Sequence, residues 1–261
     1  MKISIIGAGA MGGALTEGLI KGDYIQNEDI CVADPSRQIR DKFANMGITA
    51  TPSNQLAAQG ADIVCVVVKP WLVEQVLKSI KDVLDYEQQT LVVVAAGVKS
   101  ADLCQWLSKE GKMIPLLLAI PNIAIAQLQS MTFLVPCTAT DQHTEQVRQL
   151  FNSMGRTIVT QENLLGAGTT LASCGIAYAM RYVRAASEGG VELGFKADDA
   201  KKIVLQTMRG AVELLQATGL HPEAAIDLVT TPGGVTIKGL NEMEHAGFTS
   251  SVIKGLKAGA K

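Results

Sequence analysis

The chain has 261 residues, 48% of them apolar and 18% charged, with a formal net charge of −2. Such a composition excludes a disordered chain, and the near-neutral balance lacks the basic surplus of a nucleic-acid binder. No apolar run reaches the roughly 18 residues of a membrane span; the nearest, Met113 to Ala126, is broken by Pro115, Pro121 and Asn122.

Five cysteines (Cys31, Cys65, Cys104, Cys137 and Cys174) are scattered, odd in number and never paired as CxxC. His143, His221 and His245 are equally dispersed. No metal site is expected from such spacing, and a reducing cytoplasm suits the thiols. Only Lys2 precedes the first glycine turn, so no cleavable signal is read.

In chain order, Lys2–Ile6 is a short apolar run ending in glycines, followed by Ala14, Leu15, Leu19 and Ile20 at helical spacing. Strand, tight turn and helix follow from that. Ile30–Ala33 predicts a second strand, Gln38 to Met46 a helix, and Ile63–Val68 a strand apolar on both faces, as in a covered parallel sheet. A helix through Val73–Leu84 leads to a strand at Leu91–Val94, with further strands at Ile114–Leu118, Thr132–Val135 and Thr157–Val159. This alternation predicts an α/β fold, a Rossmann-type doubly wound parallel sheet.

After about Gln161 the pattern turns helical. One long segment is expected over Leu164 to Leu193, a second over Asp198 to Thr218, and others over Pro222–Thr230 and Val235–Glu244. The expected division is an α/β domain over 1–161 and an all-helical dimerisation domain over 162–261. The second half is short and apolar, so it is expected to bury surface against a copy of itself.

The glycine turn Gly7-Ala8-Gly9-Ala10-Met11-Gly12 sits between a strand and a helix, where a pyrophosphate-binding turn belongs. Gly7 permits the tight turn, Gly9 a close approach of backbone to pyrophosphate, and Gly12 close packing of helix on strand. The helix start offers unpaired N–H groups to the phosphates. Asp34, 22 positions past Gly12, stands at the end of the second strand, where ribose contacts are made. It favours NAD, whereas Ser36 and Arg37 beside it suit the 2′-phosphate of NADP, and Arg37 alternatively is a solvated helix-start charge. The choice between NADP and NAD stays open. "VVVKP" (Val66 to Pro70) and "VAAGV" (Val94 to Val98) place special residues at further strand ends, with Lys69 either a ribose or phosphate neighbour or an ordinary loop lysine.

Far along the chain, Thr231-Pro232-Gly233-Gly234-Val235-Thr236-Ile237 resembles the substrate loop of pyrroline-5-carboxylate reductases. The resemblance extends, in order, through the glycine turn, Thr51-Pro52-Ser53-Asn54, Val68-Lys69-Pro70, Ala95-Ala96-Gly97, Pro121-Asn122 and Val191-Glu192-Leu193-Gly194. It implies NAD(P)H-dependent reduction of Δ1-pyrroline-5-carboxylate to L-proline by a homodimer or larger homo-oligomer. It also implies that Asn54, Lys69 with its neighbours Val68 and Pro70, Ala95 and Asn122 lie near the coenzyme. Gly233, Gly234, Val235 and Thr236 would then meet a small cyclic imine. Two glycines leading into a helix can present N–H groups to a carboxylate, and Thr236 is the candidate catalytic residue, donating to the ring nitrogen. A helix-capping role for Thr236 is the alternative.

The sequence departs from the family pattern at Leu118, where an arginine is usual, at Ile123-Ala124 for Thr-Pro, and at Cys174. Either these changes are internal compensation, the favoured reading, or the pocket takes a different cyclic imine. Two rival readings are a β-hydroxyacid dehydrogenase and a non-catalytic NAD(P)-binding regulatory protein. The first is weakened because Leu164–Leu193 holds no lysine.

Overall fold

The computed structural model describes residues 1–260. Its contacts divide the chain into two compact units between Ser173 and Cys174.

The first unit carries eight strands: β1 (Ile3–Ile6), β2 (Ile30–Ala33), β3 (Thr49–Thr51), β4 (Ile63–Val66), β5 (Thr90–Val93), β6 (Leu116–Ile120), β7 (Ser130–Pro136) and β8 (Gly155–Val159). Their order across the sheet is β3-β2-β1-β4-β5-β6-β7-β8. All neighbours run parallel except β7, which is antiparallel to β6. The expected doubly wound parallel sheet is thus present, with one antiparallel pair in it. The short hairpin-like return through the 3-10 turn Ile123–Gln127 leaves no length for a crossover helix, so β7 must reverse.

The helices between strands are α1 (Ala10–Lys21), α2 (Arg37–Ala44), α3 (Asn54–Ala58), α4 (Pro70–Ile80), α5 (Ser100–Leu107) and α6 (Asp141–Asn152). Alternate strand residues feed two separate cores. Ile3, Ile5, Ile63, Cys65, Leu117 and Ala119 pack on one face, while Ile6, Val64, Val66, Leu116 and Leu118 pack on the other. Both faces of the sheet are therefore covered, which is why β4 and β6 read as unbroken apolar runs. Burial pushes the Cys65 thiol up to about 12 and the Cys137 thiol up to about 11. Both behave as small packing groups, since the thiolate is the reactive form.

The long helix expected from Leu164 is interrupted. It begins as α7 (Leu165–Gly168), widens into a π-helical turn over Thr169–Cys174, and only then becomes α8 (Gly175–Glu192). Ser173 Oγ donates to Pro121 O at 3.0 Å and Asn122 Nδ2 to Ala172 O at 3.4 Å, tying this wide turn to the end of β6. Those ties hold the extra residue in place, and such turns cluster at functional sites.

The second unit is all helix: α8, α9 (Ala197–Thr218), α10 (Pro222–Asp227), α11 (Val235–His245) and α12 (Phe248–Gly259). Helices α8 and α9 approach closely at Gly190, where a Cβ would stand 2.9 Å from that of Ala200. Tyr182 and Phe248 meet edge-on at 6.5 Å between ring centres. Among the described residues, no helix is long and apolar enough to cross a membrane.

Candidate active site

Each coenzyme-site candidate of the first unit follows the carboxyl end of a parallel strand. Gly7 follows β1, Asp34 follows β2, Asn54 stands three residues past β3, and Val68 to Pro70 follow β4. Ala95 lies two residues past β5 and Asn122 two past β6. Because β1 is flanked by β2 and β4, the connections leaving β1 and β4 run in opposite directions across the sheet, and the glycine turn lies at that divide. Ligands of open α/β sheets bind at such a switch point.

The glycines of the turn are enforced by different neighbours. Gly7 has φ +90°, and a Cβ there would stand 2.5 Å from Val67 O and 2.6 Å from the Val68 side chain. At Gly12 a Cβ would stand 1.9 Å from Gly7 O. Gly9 differs, because nothing lies within 4 Å of where its Cβ would be. It is the N-cap of α1, no side chain caps that end, and the first turn carries no acid. The turn thus offers open space, unpaired N–H groups and the positive end of a helix, which fits a coenzyme diphosphate. Ala8 is buried, Ala10 exposed, and Met11 packs half-buried against the core.

The neighbouring positions divide by whether their polar groups are free. Lys69 is exposed at the N-cap of α4, with Pro70 opening the helix. Asn54 opens α3, whose N-cap is Ser53, its Oγ accepting from Leu56 N–H at 3.2 Å. Ser36 caps α2 without a side-chain bond, and the exposed Arg37 pairs with Asp41 at 3.5 Å. Asn122 is 4% exposed, and its side chain is spent inside the protein: Oδ1 accepts from Ala124 N–H at 3.1 Å while Nδ2 donates to Ala172 O.

Beside the β5 and β6 ends lies a cavity of about 580 Å³ lined by Gly97, Lys99, Ile120, Glu162, Leu165 and Thr169 among others. Sequence reasoning missed Glu162. Its carboxylate accepts from Ser100 N–H at 2.9 Å and from Ser100 Oγ, capping α5 from 62 residues away. No local pattern announces a cap supplied from so far along the chain.

The second glycine corner is built within the helical unit. Gly234 N–H donates to Thr231 O at 2.9 Å, Gly233 has φ +71°, and a Cβ on Gly234 would stand 2.5 Å from Thr231 Oγ1. Gly234 is the N-cap of α11 and no side chain satisfies the helix start. Thr236 is therefore the second helical residue and not a cap. Val235, 85% exposed, stands beside it.

A doubly wound sheet with this glycine turn at its switch point defines a Rossmann-type dinucleotide-binding protein. Comparison with known proteins sharpens the class. Residues 162–261 match the family model for pyrroline-5-carboxylate reductase dimerisation, and residues 2–97 match that for NADP oxidoreductase, coenzyme F420-dependent. The chain is 36% identical to pyrroline-5-carboxylate reductase 1 of Dictyostelium discoideum over 97% of its own length, spanning 48% of that protein. It is 33% identical to pyrroline-5-carboxylate reductase 2 of the same organism, over 100% of this chain and 91% of the relative. Its fold matches a Plasmodium falciparum pyrroline carboxylate reductase crystallised with NADP at a TM-score of 0.89 and 24% identity, covering 100% of this chain and 95% of that one. The chain belongs to the pyrroline-5-carboxylate reductase family.

Proposed function

We propose that this chain reduces Δ1-pyrroline-5-carboxylate to L-proline with NADPH or NADH, the two glycine corners serving coenzyme and imine respectively. The observation that carries the reading is the pair of uncapped helix starts, at Gly9 and at Gly234, each behind a glycine turn. A reduced nicotinamide coenzyme, when bound, supplies the hydride for the imine carbon. Gly7 to Gly12, Asn54, Val68 to Pro70, Ala95 and the Asn122 backbone would hold that coenzyme along the strand ends. The N–H groups opening α11 hold the substrate carboxylate, and the Thr236 hydroxyl donates to the ring nitrogen. A cyclic imine that accepts a hydrogen bond at nitrogen is already polarised toward hydride, so fixing the two reactants in register supplies most of the acceleration.

Residues 162–261 form the substrate and dimerisation domain of this reading, and 1–161 the coenzyme domain. A homodimer or larger homo-oligomer is supported by α8, none of whose 18 residues is buried, and by α9, which buries only Ala200. Tyr178, Met180, Ile203, Leu205 and Val212 stand exposed on these helices, an apolar area that a second copy would cover. Five free thiols support a reducing, cytoplasmic setting.

Leu118 favours proline synthesis over reduction of a different imine. It is completely buried between Val93 of β5 and Val135 of β7, so the departure there is filled by packing. Leu118→Ala is expected to cost about 2–5 kcal/mol of stability and to leave KM for the imine unchanged. Urea unfolding with steady-state kinetics on the folded fraction checks both halves.

The test of the function is oxidation of NADPH and NADH by the purified protein with pyrroline-5-carboxylate and a panel of other cyclic imines. Turnover highest with pyrroline-5-carboxylate, with proline formed, is the expected result. Tight coenzyme binding without turnover would contradict it.

A further inference from the structure

We propose that Asp34 is a positioning residue of the coenzyme turn and not the acceptor of the adenosine ribose hydroxyls. The chain therefore does not reject a 2′-phosphate through this carboxylate. The inference rests on the dinucleotide-binding reading above.

By position, Asp34 stands where a ribose-binding carboxylate would. Its orientation is different. Oδ2 accepts from Ala8 N–H at 2.9 Å and Oδ1 from Ser36 N–H at 2.8 Å, and the residue is only 6% exposed. The backbone around it is stitched as tightly. Asp34 N–H donates to Thr51 O at 3.2 Å, and Gly7 N–H donates to Ala33 O at 2.8 Å. Arg40 Nη1 donates to both Asp34 O and Pro35 O at 2.8 Å.

To meet a ribose, the carboxylate would have to surrender two charge-assisted bonds and leave the Ala8 N–H unpaired in a buried place. Such an exchange is unfavourable. A carboxylate does have spare lone pairs, but the low exposure leaves little surface for a diol. What the carboxylate does is hold Ala8, the residue between the φ +90° turn at Gly7 and the open Gly9. It thereby aims the start of α1. Loss of that hold weakens whatever the turn binds, with or without a 2′-phosphate.

The test uses the full chain and titrates NADH and NADPH by nucleotide fluorescence against the parent, Asp34→Ala and Asp34→Asn. Asp34→Ala is expected to weaken both coenzymes by about tenfold or more, their affinity ratio changing by less than about threefold. Asp34→Asn keeps one acceptor and is expected to recover part of the loss. Amide hydrogen exchange at Ala8, slow in the parent, should quicken in Asp34→Ala. A shift of the ratio toward NADPH of about threefold or more in either variant overturns the proposal, because a ribose-facing carboxylate predicts that selectivity change.

Should the variants fail to fold, the parent decides alone. NADPH affinity within about thirtyfold of NADH supports the proposal, and a larger preference for NADH overturns it, since a facing carboxylate would repel the extra phosphate. A folded parent that binds neither coenzyme overturns the dinucleotide reading itself, a result distinct from a shifted ratio.

Discussion

Replacing Gly9 by alanine should abolish most coenzyme binding while leaving the fold intact, and replacing Gly12 should damage both. At Gly9 a methyl meets nothing within 4 Å, and φ is negative at −62°, with ψ −153° just past the usual extended range. The stability cost is that of a weaker N-cap, about 1 kcal/mol. The space it fills is the space left for the diphosphate, so Kd for NADPH should rise by roughly tenfold to a hundredfold, in line with overpacking costs of about 1–3 kcal/mol. At Gly12 the methyl would stand 1.9 Å from Gly7 O and 3.3 Å from Val67 Cβ. Backbone must move there, so both Tm and affinity should fall. Paired thermal melts and coenzyme titrations separate the two; a Gly9→Ala protein that binds NADPH like its parent would place the diphosphate elsewhere.

Thr236→Ala has the second large expected effect. Its hydroxyl is not engaged in capping, because Gly234 occupies the N-cap of α11 and no side chain completes it. Removing it should change stability by no more than about 0.5 kcal/mol. On the proposed role, kcat/KM for the imine falls by roughly a hundredfold, with Kd for NADPH unchanged. Thr236→Ser, which keeps the hydroxyl, should retain most of the activity. Unchanged turnover in Thr236→Ala would remove the residue from the chemistry.

How much of this was legible in the sequence depended on how local each feature is. The glycine turn reads correctly because its strand, turn and helix are contiguous. Strand β2, Ile30–Ala33, was read to the residue because Asp34 and Pro35 end it abruptly. Strand β3 has three residues, none buried, and α3 only five, too little for either period to show. Helix α6 opens with a capping box whose third residue is His143 in place of the usual glutamate or glutamine, which hid its start. Helix α12 begins after a left-handed Gly247 with a Thr-Ser-Ser run that suggests a loop.

The site was legible in position and less so in orientation. Spacing put Asp34 at the correct strand end but could not reveal that Ala8 and Ser36 occupy its oxygens. The Glu162–Ser100 bonds and the π-helical turn over Thr169–Cys174 join segments some 50 to 60 residues apart, so no window of sequence contains both partners. Leu118 was ambiguous for a related reason: all five residues of β6 are buried, leaving no alternation from which to read the face it occupies.

A crystal structure of the assembled protein with NADP and L-proline probes the heart of the matter. The proline carboxylate should rest on the N–H groups that open α11, its ring nitrogen within hydrogen-bonding reach of Thr236 Oγ1, and its Cδ against C4 of the nicotinamide. Proline bound away from residues 233–236 in every subunit, or a nicotinamide ring remote from it, would contradict the account.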